Sequence, residues 1–98
     1  MEHLHYQFNA QAGDVVEVVL DHAANVQLLD MLNYTNYTMG QPFQYYGGYA
    51  QVSPYRLRAP HPGHWHLAVD LGGAPGSVRA SVQVVPKFRR IPGEPAIS

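Results

Sequence analysis

Pro60-His61-Pro62-Gly63-His64-Trp65-His66-Leu67-Ala68-Val69-Asp70-Leu71-Gly72-Gly73 is the stretch that decides the fold. A rigid turn stands at each end, and a strand's alternation runs between them. Successive side chains of a strand point to opposite faces. Trp65, Leu67, Val69 and Leu71 therefore share one face, and His64, His66, Ala68 and Asp70 share the other. The first set is core. The second is expected to be wet and available, and it holds most of the chemistry in the chain. A buried Trp65 needs an acceptor for its indole N–H.

The same period recurs on both sides. Leu4, Tyr6 and Phe8 alternate with His3, His5 and Gln7 in a first strand over 3–8. Gly13 turns the chain into a strand over 14–21, with Val16, Val18 and Leu20 on its inner face. Residues 22–25 are expected to form a hairpin link. A third strand over 26–31 then pairs antiparallel with the second, with Val26 and Leu28 inward. Strands over 52–59 and 77–85 follow the same rule, with Tyr55, Leu57, Ala59, Val78, Ala80, Val82 and Val84 inward. Pro54 implies an edge position or a bulge, because proline cannot donate to the ladder.

Residues 32–49 break the period. They hold five tyrosines and no charge, with Asn, Gly and Pro interspersed. They read as a long polar-aromatic loop with one short strand near residues 43–46, and long loops are often functional. No stretch reads as an amphipathic helix. The expected fold is all-β: an antiparallel β-sandwich or flattened barrel of six to eight short strands. It forms one domain over 1–86, followed by a basic and then Pro/Gly-rich flexible tail over 87–98.

Ninety-eight residues suit one such domain, and nine Gly and eight Pro supply its turns. A net charge of −1 gives no general footprint for nucleic acid, and the absence of cysteine excludes disulfides, thiolate metal sites and a Cys nucleophile. No apolar run reaches the ~20 residues of a membrane span. The N-terminus lacks the pattern of a signal peptide, so the expected location is cytoplasmic.

Ala12-Gly13-Asp14-Val15-Val16-Glu17-Val18, Asp21-His22, Asn25-Val26, Leu28-Leu29-Asp30, Tyr46-Gly47-Gly48, Gly63-His64-Trp65 and Val69-Asp70-Leu71-Gly72-Gly73 occur in that order. In these pieces and their spacing, the chain from Leu4 to Val84 resembles a small bacterial family, domain of unknown function 1883. The resemblance implies an all-β bacterial domain, sometimes joined to a TIR-like domain. It brings no reaction, cofactor or catalytic residue.

Three functional readings compete. The first is a recognition module for a small polar ligand or a protein partner. Tyr34, Tyr37, Tyr45 and Tyr46, with His64 and His66 on the adjoining sheet face, would form its binding surface, helped by Tyr49 and the polar Asn33, Asn36 and Gln44, since tyrosine offers stiff amphipathic contact area. The second is a cupin-like metal-binding enzyme or sensor using the His64/His66 pair. Its third ligand must come from His3, His5, His22 or His61, and no particular metal or other cofactor is indicated. The third is a structural protein that assembles with itself through sheet edges. No Ser-His-Asp or paired-carboxylate layout is evident, so binding is favoured over catalysis. His22 at its corner is expected to bond the turn. All six Lys and Arg lie in the second half of the chain. Arg56, Arg58 and Arg79 fit a solvated face with cross-strand charge pairing better than a nucleic-acid groove.

Overall fold

The computed structural model describes residues 2–87. It contains seven strands and one helix: β1 (Leu4–Ala10), β2 (Val15–Leu20), β3 (Ala24–Leu29), α1 (Met31–Thr38), β4 (Tyr46–Ala50), β5 (Tyr55–Arg58), β6 (Gly63–Asp70) and β7 (Ala80–Val85). β6 lies inside a four-stranded sheet of order β1-β6-β3-β4, and a three-stranded sheet of order β5-β2-β7 faces it. Every pairing is antiparallel. This is the expected all-β sandwich.

The core lies between the sheets. Trp65 is 1% exposed, and Leu67 and Val69 are completely buried. They meet Val26 and Leu28 from β3 and Val16, Val18 and Leu20 from β2. Each such side chain contributes about 1.5–3 kcal/mol by leaving water. The Trp65 indole N–H donates to the His61 carbonyl at 3.2 Å. Tyr6 ties the sheets together, donating its hydroxyl to the Ala80 carbonyl at 2.9 Å. β5 is an edge strand, as Pro54 implied. Arg56 stands opposite Glu17 and pairs with it at 2.9 Å. Lys87, at the described end, donates its backbone N–H to Asp14. The rest of the expected tail, 88–98, lies outside the described residues.

Two expectations fail. The first is the hairpin between the second and third strands. β2 pairs with β5 and β7, whereas β3 pairs with β4 and β6. Residues 21–23 therefore turn a corner between sheets. Asp21 fastens that corner by accepting the Arg79 N–H at 2.7 Å, and His22 leans on the Asp21 carboxylate at 3.1 Å. A hairpin sets the two apolar rows side by side, and a corner sets them face to face. Both bury Val16 and Val18 with Val26 and Leu28, so alternation alone does not distinguish them.

The second is the long loop. Residues 31–38 form α1, and the strand of this region is β4, later than expected. Asp30 caps the helix, accepting the Asn33 N–H at 2.8 Å. At the other end, the Gln41 N–H returns to the Asn36 carbonyl and the Gly40 N–H to the Tyr37 carbonyl. That closure needs positive φ at Gly40, which has φ 70°. β4 then packs so tightly on β3 that a Cβ at Gly47 would strike the Val26 carbonyl oxygen.

Candidate functional site

Strand register sets out the second face of the four-stranded sheet. His5, Ala68 and Gln27 form one row, and Gln7, His66 and Leu29 form the next. Asp70 stands opposite Asn25. This face was expected to be wet. Instead, His66 is only 5% exposed, Asp70 only 2%, and Ala68 is fully buried. The cause is α1, which lies over it, stacking Tyr34 on His66 and bonding Tyr37 to Asp70.

Tyr34 covers the histidines. Its ring lies parallel to His5 at 4.1 Å between centroids and to His66 at 4.7 Å. Its hydroxyl meets His3 Nε2 at 3.0 Å. Under it, His5 Nε2 and His66 Nδ1 share a hydrogen bond of 2.9 Å. Such a bond needs one N–H and one lone pair, so the pair cannot carry two protons in excess. Burial, and then the neighbouring His3, lower the His5 pKa. Burial, then His5 and His64, lower that of His66 against a smaller opposing pull from Asp30. Both rings are thus held toward the neutral form.

Asp70 anchors the far end of this face. It accepts the Tyr37 hydroxyl at 2.6 Å, the Asn25 amide at 2.9 Å, the Gln27 amide at 3.2 Å and the Gly72 N–H at 2.8 Å. Burial alone would raise its pKa, but these four donors outweigh burial and hold the carboxyl below its usual range. Burial, and then the bond to Asp70, push the Tyr37 phenol upward. A carboxylate so saturated is a structural tie between β3, β6, α1 and the following turn. It has no lone pair left to act as a base.

The six residues expected to form one surface are therefore divided. Tyr34, Tyr37 and His66 are packing elements of the covered face. His64 lies in the open, where its two ring nitrogens meet the Asn9 and Gln7 side chains at 2.9 and 3.1 Å. The His64 and His66 rings are perpendicular, 5.2 Å apart, and His66 turns to His5. Among the described residues, no group of three or more His, Cys, Asp or Glu stands close enough together to hold a metal ion. The expected metal pair thus finds no third ligand.

Tyr45 and Tyr46 belong elsewhere. They line a hollow of about 430 Å³ beside the start of α1, together with Leu28, Asp30, Asn33, Phe43, Gln44 and His61. The end of β3 brings Leu28 and Asp30. The first turn of α1 brings Asn33, whose side-chain oxygen accepts the Gln44 N–H at 2.8 Å and fixes the approach to β4. His61 rests against Trp65 at 4.6 Å, and Tyr46 meets Trp65 edge-on at 6.1 Å. The core tryptophan thus backs two walls of the hollow. Phe43 lies 5.7 Å from Tyr45 and edge-on to Tyr37 at 5.2 Å. Asp30 Oδ1 accepts the backbone and amide N–H groups of Asn33, while its Oδ2 takes no hydrogen bond from the described residues.

Asp30 and Phe43 were missed as site residues, whereas Asn33 and Gln44 were expected beside the tyrosines. A signal existed: Asp30, Asn33, Tyr34 and Tyr37 have the spacing of one helical face, with an N-cap residue first and Gly40 beyond the end. The stripe is polar and aromatic, so a search for apolar periodicity passes over it.

The architecture defines a class: a small two-sheet β-sandwich with one sheet covered by a short helix. Over residues 1–88 the chain matches the family described as Domain of unknown function (DUF1883), and it belongs to that family. No curated protein and no solved structure matches it. No helix among the described residues is long and apolar enough to cross a membrane.

Proposed function

We propose that the protein is a recognition module that takes up a small polar ligand in the hollow between α1 and β4. What supports this is the convergence of Asp30, Gln44, Tyr45, Tyr46 and His61 on one concave place, where Asp30 Oδ2 and both tyrosine hydroxyls take no hydrogen bond from the described residues. Pockets that bind small molecules combine apolar walls with a few polar groups that fix orientation. Tyr45 and Tyr46 are about half exposed, so their ring faces are available without rearrangement. The covered histidine face plays a supporting part: it seats α1, and α1 carries one wall of the hollow.

A thermal-shift series over sugars, nucleotides and small ammonium compounds tests this. A ligand present at 100 times its Kd should stabilise the fold by about 2.7 kcal/mol. The shift should vanish in Tyr46→Ala and persist in His64→Ala. A shift unchanged by both Tyr45→Ala and Tyr46→Ala would place the site elsewhere and overturn the proposal.

A further inference from the structure

Other concave places on the molecule offer less. The hollow of about 300 Å³ beside the 71–78 turn has Asp70 as a lining residue, but that carboxylate is already saturated. The smaller hollow around the 21–23 corner holds Asp21, which is engaged by Arg79 and His22. Asp30 differs from Asp70 in that its Oδ2 takes no hydrogen bond from the described residues, and from Asp21 in that aromatic rings, Phe43, Tyr45 and Tyr46, line the same hollow.

Resting on the reading above, we infer that the hollow selects a cationic ligand, one that presents an ammonium or methylated ammonium group between the Asp30 carboxylate and the tyrosine rings. Three features carry this. Among the described residues, Asp30 is the only carboxylate lining the hollow, and no lysine or arginine lines it. The described ion pairs employ Asp21 and Glu17, not Asp30. An anionic ligand such as a phosphate or carboxylate would therefore meet a carboxylate with no described lysine or arginine beside it in a half-enclosed space, where repulsion is stronger than in bulk water. Phe43, Tyr45 and Tyr46 contribute aromatic rings to the walls, beside Leu28, Asn33, Gln44 and His61, and an aromatic ring attracts a cation through its quadrupole. Carboxylate and ring faces side by side suit a diffuse positive charge better than a neutral one. The helix start does not oppose this, because Asp30 itself occupies its cap and offsets the positive end of the dipole.

Choline and its neutral carbon isostere, 3,3-dimethylbutan-1-ol, separate charge from shape. Titration of the full chain by NMR should show choline moving the signals of Tyr45, Tyr46 and Asn33, with the isostere binding at least tenfold more weakly. Asp30→Asn keeps a good N-cap, so α1 persists. It should weaken choline at least tenfold and leave the isostere unchanged. Equal affinity for the two probes, or choline binding indifferent to Asp30→Asn, overturns the cation assignment. So does a neutral monosaccharide that binds at Tyr45 and Tyr46 while choline does not; that result keeps the hollow as a site. If choline, primary ammonium compounds, sugars and nucleotides all leave these signals unmoved, both the cation assignment and the hollow fall together.

Discussion

From His66 to Asp70 of β6 the two faces of the four-stranded sheet are almost equally dry, by opposite means, whereas His5 and Gln7 on the outer face of β1 stay exposed. The inner face is closed by Trp65, Leu67, Val69, Val26 and Leu28 against a second sheet. The outer face is closed by an eight-residue helix over histidines, amides and a carboxylate. Hydrophobic burial is non-directional and indifferent to pH. A hydrogen-bonded face is directional, and each buried group depends on its partner. The comparison teaches that burial does not reveal its own cause: Leu67 and Asp70 are neighbours in burial and alike in nothing else.

Deletions should separate the faces. The largest effect belongs to the inner one. Trp65→Ala should cost about 3–5 kcal/mol, read as a lowered urea midpoint with the loss independent of pH between 6 and 8. Asp70→Ala should come next. It strands the donors of Tyr37, Asn25, Gln27 and Gly72, and about 2–3 kcal/mol should be lost, with amide exchange in α1 rising more than in β2. Equal loosening of α1 and β2 would show that the helix does not depend on this tie. Tyr34→Phe keeps the stacking on His5 and His66 but removes the bond to His3. It should cost about 0.5–1.5 kcal/mol, measured by denaturation at pH 7.5.

The smallest effect is one of pH. His5 and His66 have lowered pKa values in the folded chain, so the unfolded chain binds more protons once the pH falls toward the ordinary histidine value of about 6.5. Their contribution is complete well above that value. It declines as the pH drops through it toward the folded values. Asp70 behaves similarly much lower: its contribution is present above the usual carboxylate range near pH 3.9 and is lost as the pH falls further. Urea midpoints at pH 7.5 and 5.5 should therefore differ in the wild type and converge in a His5→Gln/His66→Gln double variant. An undiminished pH dependence in that variant would assign the effect to other groups.

Particular residues show why one face was legible and the other was not. Trp65, Leu67 and Val69 announce themselves by alternation, because a two-residue period and an apolar character coincide. Their partners Val16, Val18, Val26 and Leu28 do the same. Tyr34 and Tyr37 sit at helical spacing from Asp30, but their stripe is not apolar, and Thr, Asn and Tyr are poor helix formers. Local propensity argued against α1; the cap, the Gly40 closure and the bond to Asp70 override it. The tyrosines were singled out as a group, yet of them only Tyr45 and Tyr46 line the hollow. Asp30, the one carboxylate that lines it among the described residues, had no separate mark in the sequence beyond its place before the helix.

The order of residues by itself determined which side chains face the core, where the turns fall and that the fold is built of strands. Those follow from local geometry: a strand has a period of two, and Gly and Pro interrupt it. Tertiary structure alone decided that residues 21–23 cross between sheets, that His66 and Asp70 lie beneath a helix, and that Asp30 and Tyr46 share a hollow. These depend on which surfaces meet across long stretches of chain. Several arrangements satisfy the same local pattern, and only packing and hydrogen-bond pairing over the whole molecule distinguish them.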